Sequence, residues 1–184
     1  METLEQQIVR LYKKNLVDLY SINQIAKKLS KKYPYINKKV GSLVSSGILK
    51  KMVVGRSHLC SLNLENPYTL VALSSAEISL QKKIPSFETI KKGIDDLKYR
   101  ISLLIVISYG KKLVFVLESL RDRREVDHIF PGSIVIDRRQ FLDLLLDDRE
   151  LYENSIVLYG YEKYYELVTY ELDEIKRRYS PLRY

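Results

Sequence analysis

Three lysine pairs stand close together near the amino end of this sequence, Lys27-Lys28, Lys31-Lys32 and Lys38-Lys39, with Tyr35, Asn37, Ser42 and Ser45 among and after them. An ammonium group acts on a phosphate as a point charge, asparagine can pair with adenine through two hydrogen bonds, and lysine can donate to guanine acceptors. These residue types suit contact with a polyanion whose edges also carry hydrogen-bonding groups. The charge of the chain is distributed to match. Residues 1–64 hold twelve Lys or Arg against three acids, Glu2, Glu5 and Asp18, an excess of +9, whereas residues 65–184 hold nineteen against twenty and carry −1. A merely solvated lysine-rich surface would spread its charge evenly. A basic unit of this size sets up a field that attracts nucleic acid above other partners.

Other chemistries find fewer candidates. Cys60 is the one cysteine, which leaves no intramolecular disulfide, and with only His58 and His128 beside it neither a structural metal nor a cofactor is expected. His58 and Cys60 read as a strand histidine and a small core residue. No apolar run approaches the roughly 20 residues of a membrane span. The opening METLEQQIVR has neither the basic start nor the apolar core of a signal segment, so a cytoplasmic location is expected. Apolar residues make up 46% of the chain, enough to give one medium or two small domains a core.

The elements that must position the lysines follow from periodicity. Residues 4–16 place Leu4, Ile8, Leu11 and Tyr12 at helical spacing, predicting a first helix. Ser21 is a suitable cap for a second, in which Ile22, Ile25, Ala26 and Leu29 share a face. Pro34 suits the first turn of a third, whose inward residues are Ile36, Val40, Leu43 and Val44 and whose stop is Gly47. The pattern then turns to β-type on both sides of Gly55-Arg56-Ser57, predicting a hairpin.

Across residues 4–64 this order of three helices and a hairpin, with the run Ser21-Ile-Asn-Gln-Ile-Ala-Lys-Lys-Leu29 and a helix ending Leu43-Val-Ser-Ser-Gly-Ile-Leu49, resembles the winged helix-turn-helix family of DNA-binding domains. The resemblance implies that the third helix enters the major groove of double-stranded DNA, with Tyr35, Asn37, Lys38, Lys39, Ser42 and Ser45 on its solvent face. Lys27, Lys28, Lys31 and Lys32 would then meet backbone phosphates, and Arg56 with Ser57 would form the wing. A plain turn carrying a solvated arginine is the competing reading of Gly55-Arg56-Ser57.

Asn66-Pro67 ends the hairpin, can open another helix, and is taken as the boundary between a domain of residues 1–66 and one of residues 67–184. Helices are predicted over 68–83 and, after Ser86, through Phe87, Ile90, Ile94 and Leu97. Ile101–Tyr109 and Leu113–Leu117 read as adjacent buried strands, Ser133–Ile136 as a third, Asp137 as the cap of a helix through Phe141, Leu144 and Leu145, and the stretch from Tyr164 to Arg178 as a final helix. These stretches, with the tail Ile156-Val-Leu-Tyr-Gly160, resemble the small nucleotidyltransferase domains that archaeal proteins often couple to a winged helix. Members of that family use a Gly-Ser pair after the first strand and an Asp-x-Asp on the second to hold nucleotide phosphates and magnesium. Here the turn is Ser108-Tyr-Gly-Lys-Lys112, and Leu113-Val-Phe-Val-Leu117 holds no acid before Glu118.

The fold expected is therefore α+β, a winged helix-turn-helix followed by a small mixed α/β nucleotidyltransferase-like domain without catalytic residues. The function expected is that of a transcriptional regulator binding double-stranded DNA as a homodimer, with no enzymatic activity. The second domain would supply the dimer, bind a protein partner or hold a nucleotide. Tyr152, Tyr159, Tyr161, Tyr164, Tyr165 and Tyr170 are shared between packing and contact roles, and Arg121-Asp-Arg-Arg124 is read as a charged helix surface. The alternatives are an active nucleotidyltransferase of antitoxin type, a chromatin or replication protein that binds duplex without sequence preference, and an adaptor whose wing meets only protein.

Overall fold

Ser21 and Gln24 cap each other's backbone at the start of a short helix, and the elements that carry the lysines are built outward from this box. In the computed structural model, which describes residues 2–55 and 57–179, the chain is α+β, with ten α-helices and two small sheets among the described residues. The first part comprises α1 (Leu4–Leu11), β1 (Tyr20–Ser21), α2 (Ile22–Lys28), α3 (Tyr33–Ser45), β2 (Leu49–Val54), β3 (Ser57–Leu62) and α4 (Pro67–Gln81). Compact units divide between Ser79 and Leu80.

In the first unit, α1 is shorter than the 4–16 expected. It ends at Leu11, and the following turns bury Tyr12 and Leu16 while the Tyr12 hydroxyl donates to the Cys60 carbonyl at 2.9 Å. That turn frees Tyr20 and Ser21 to pair with Cys60 and Leu59, a strand too short to leave a sequence signal. β2 and β3 form the expected antiparallel hairpin, Leu49 opposite Leu62 through Val54 opposite Ser57, and the sheet order is β1-β3-β2. α3 closes with Gly47 at φ +72°, where the Ile48 amide reaches back to the Leu43 carbonyl at 2.9 Å. The same closure ends α2, but there Ser30 takes the left-handed position at φ +53° and the Lys31 amide donates to the Ala26 carbonyl.

The expected junction at Asn66-Pro67 is the start of α4, where the Asn66 side chain accepts from the Tyr68 amide at 2.9 Å. α4 belongs to the first unit up to Ser79 because polar bonds tie it there. The Thr69 hydroxyl donates to the Asn63 carbonyl, the Gln6 amide donates to the Ser75 hydroxyl, and Lys13 and Glu77, 8% and 0% exposed, form an ion pair at 3.1 Å.

The second unit continues with α5 (Phe87–Leu97), β4 (Leu103–Tyr109), β5 (Lys112–Leu117), α6 (Arg123–Ile129), β6 (Ile134–Asp137), α7 (Arg138–Asp147), α8 (Arg149–Asn154), β7 (Ile156–Tyr159), α9 (Tyr161–Tyr170) and α10 (Leu172–Tyr179). Its sheet runs β6-β5-β4-β7, antiparallel except for the parallel pair β5 and β6. On one face Val106, Phe115, Leu117 and Val135 pack with Ile94 and Leu97 of α5 and Val126 of α6. Ile105, Ile107, Val114 and Val116, alternating with these, are equally buried. Two covered faces explain why the strands read as continuous apolar runs. Ser86, expected to cap α5, takes a left-handed conformation and makes no side-chain cap bond. The expected final helix breaks at Glu171 into α9 and α10. Gly160 is required in its place, because its φ is +73° and a Cβ would run into the Leu104 carbonyl.

Candidate nucleic-acid interface

Thirteen residues of α3 turn three core side chains inward, Ile36, Val40 and Leu43, while Val44 is only half buried. At 3.6 residues per turn the line farthest from that core is Pro34, Lys38, Gly41 and Ser45, flanked by Tyr35, Asn37 and Ser42. All seven are exposed. Nothing lies within 4 Å of where a Gly41 Cβ would stand, so no steric need inside the chain explains a glycine in mid-helix.

Lys27 and Lys28 end α2, Lys31 stands in the turn, and Lys32 is the residue before α3, all exposed. The Lys28 ammonium lies 5.0 Å from the centre of the Tyr20 ring, which steers it without neutralising it. Among the described residues, no acid comes within ion-pair distance of Lys27, Lys28, Lys31, Lys32 or Lys38. Lys39 departs from the expectation. It lies on the flank of α3 toward α1, where its ammonium is bound to the Glu5 carboxylate at 2.7 Å. The hydrogen bond from Lys39 holds the Glu5 carboxyl below its ordinary value and raises the Lys39 ammonium above its own.

Arg56 lies outside the described residues, and Ser57 is exposed at the start of β3. Ser57 borders an open cleft of about 220 Å³ with Ser21, Ile22, Asn23, Tyr33 and His58. That Tyr33 and Asn23 border Ser57 is not legible in sequence, since their neighbours are set by the pairing of β1 with β3 and not by local spacing. The hairpin also exposes Met52, Val53 and Val54, 44%, 70% and 55% accessible, so its outer strand presents apolar side chains beside Lys50 and Lys51.

In the second unit Gly110, at φ +59°, forms a tight turn between β4 and β5. Glu118 follows β5 and Asp137 ends β6, where the Asp137 carboxylate accepts the Gln140 amide at 2.8 Å as the cap of α7. Among the described residues no three of His, Cys, Asp and Glu come together as metal ligands, and no helix is long and apolar enough to cross a membrane. Tyr152, Tyr164 and Tyr165 are buried, while Tyr170 is 77% exposed. Compared with protein-family models, with curated proteins and with solved structures, the chain finds no match.

Proposed function

We propose that this protein is a transcriptional regulator that binds double-stranded DNA through a winged helix-turn-helix, with α2 and α3 as its two helices and β2–β3 as its wing. The observation that carries the reading is the set Lys27, Lys28, Lys31, Lys32 and Lys38, five exposed lysines around one helix pair with no acid among the described residues within ion-pair distance. The four on α2 and the turn grip phosphates and fix orientation, while Lys38 with Asn37, Ser42 and Ser45 meets base edges in the major groove. The second unit is a nucleotidyltransferase-like platform without catalytic carboxylates, and it serves protein or nucleotide contact.

Four neutralised phosphates give log affinity against log salt a slope of about −3.6. Selection from a random duplex pool tests the reading. Enrichment of one short motif, with a slope that falls by about 0.9 for each of Lys27, Lys28, Lys31 and Lys32 changed to alanine, supports it. Binding without enrichment supports a chromatin role instead, and magnesium-dependent transfer of a labelled nucleotide supports the enzyme.

A further inference from the structure

In the second unit, the turn between β4 and β5 and the loop that leads from α6 into β6 border one open cleft of about 250 Å³. The parallel pairing of β5 with β6, which sets Val114 beside Ile134, brings these two loops together. Lys111 and Lys112 supply the charged part of the lining, and both are exposed. Among the described residues, no acid lies within ion-pair distance of either lysine, and none borders the cleft. Leu113, Ile129, Phe130 and Pro131 form an apolar wall. The ring of Phe130 is fixed in that wall. It lies 5.0 Å from the ring of Phe115, and Gly93 of α5 leaves it room, since a Cβ there would run into it. Ser133 completes the lining, and its hydroxyl oxygen is closed to solvent with no hydrogen-bond partner among the described residues. Native folds rarely leave a hydroxyl in that state.

We propose that this cleft binds a phosphomonoester carried on a ring-sized apolar body, the chemistry of a nucleoside monophosphate, without a metal ion. A phosphate dianion answers two adjacent ammonium groups, which act on it as point charges. The Ser133 hydroxyl turns about a single bond, so a bound phosphate oxygen gives its hydrogen an acceptor. Inorganic phosphate would leave the apolar wall in water, and an uncharged ring would leave the lysines unused. The volume lies just below the ~300–1,000 Å³ of ordinary ligand pockets, which suits one nucleotide and not two. With no carboxylate in its lining the cleft offers magnesium no ligand, so lysine meets the phosphate directly. The inference deepens the reading of the second unit as a nucleotide platform by giving that contact a place, and it stands independently of DNA binding.

Isothermal titration of the full chain with AMP, CMP, GMP and UMP in turn, in EDTA and without DNA, tests it. At least one binds with a micromolar dissociation constant, ~10-fold or more below those of its nucleoside, of ribose 5-phosphate and of inorganic phosphate. Lys111→Ala with Lys112→Ala weakens that binding ~10-fold or more, whereas Lys163→Ala with Lys176→Ala, the same charge taken from α9 and α10, leaves it unchanged. Ser133→Ala separates a ligand contact from packing. Deleting an unpaired buried hydroxyl leaves the melting midpoint unchanged or raised, while the nucleotide binds several-fold more weakly. Nucleotide binding that survives the paired change at Lys111 and Lys112 overturns this site and leaves the platform reading standing. Inorganic phosphate that binds as tightly as the nucleotide, or binding that requires magnesium, overturns the ligand. A chain that takes up none of the four at about 5 mM overturns the proposal and leaves the second unit to protein contact.

Discussion

The Glu5 carboxylate of α1 holds the Lys39 ammonium of α3 at 2.7 Å, so one lysine of the basic face is already neutralised within the chain. Glu5→Gln removes the competing carboxylate and leaves Lys39 free to meet a phosphate. The expected result is tighter duplex binding and a salt slope steeper by about 0.9, measured by titrating affinity against salt. An unchanged slope places Lys39 away from the DNA.

The same pair gives the first unit an acid-sensitive component. The hydrogen bond from Lys39 lowers the Glu5 carboxyl in the folded chain from its ordinary value of 4.5. The unfolded chain therefore binds the proton more readily, so the stabilisation is complete above pH 4.5 and is lost as the pH falls through the lowered value. Denaturant unfolding between pH 3 and 6 should show a steeper acid-side loss in the wild type than in Glu5→Gln.

Gly41 stands on the outermost line of α3 with open space around it. Replacing it by alanine removes the entropic cost of a mid-helix glycine and raises stability by about 0.5–1 kcal/mol. If α3 lies in the groove, the added methyl obstructs the approach, and duplex affinity falls several-fold while the melting midpoint rises. A more stable variant with undiminished binding assigns the groove to another face.

Ser30 closes α2 in the left-handed conformation that favours glycine. Ser30→Gly relieves that conformation between the lysine pairs Lys27-Lys28 and Lys31-Lys32. A gain of about 0.5–1 kcal/mol is expected in urea unfolding, with the salt slope of binding unchanged.

The buried pair of Lys13 and Glu77 holds α4 to the first unit at 3.1 Å. Burial lowers the Lys13 pKa, and the neighbouring Glu77 charge opposes that shift. Glu77→Leu takes away the opposing charge and should cost about 3–5 kcal/mol. Changing both members, Lys13→Met with Glu77→Leu, should restore stability to within about 1 kcal/mol of the wild type. Unfolding of the two variants side by side distinguishes a balanced ion pair from simple packing.

Local chemistry made α2 and α3 legible in sequence. Ser21 with Gln24 marks a start, Gly47 marks a stop, and the apolar positions between them follow the helical period. The faces of α3 followed from the same arithmetic, which is why Lys38, Asn37, Ser42 and Ser45 stand exposed as expected. What escaped depends on partners far along the chain. Lys39 meets an acid thirty-four residues away, and Tyr33 and His58 come to one cleft only because β1 pairs with β3. α4 carries almost no amphipathic signal, since its covered and uncovered faces are both apolar. Its attachment to the first unit rests on Thr69, Ser75 and Glu77, the last two with partners, Gln6 and Lys13, more than sixty residues earlier.

Cys60, 0% exposed on β3, is the sole thiol of the chain. Burial also raises its pKa, so the folded protein withholds both access to the sulfur and the reactive thiolate. Any thiol-directed reagent must wait for β3 to part from its neighbours, and each modification event then timestamps one opening of the first unit. The native sequence thus carries its own clock for that motion, and the second unit, with no sulfhydryl, adds no background to it.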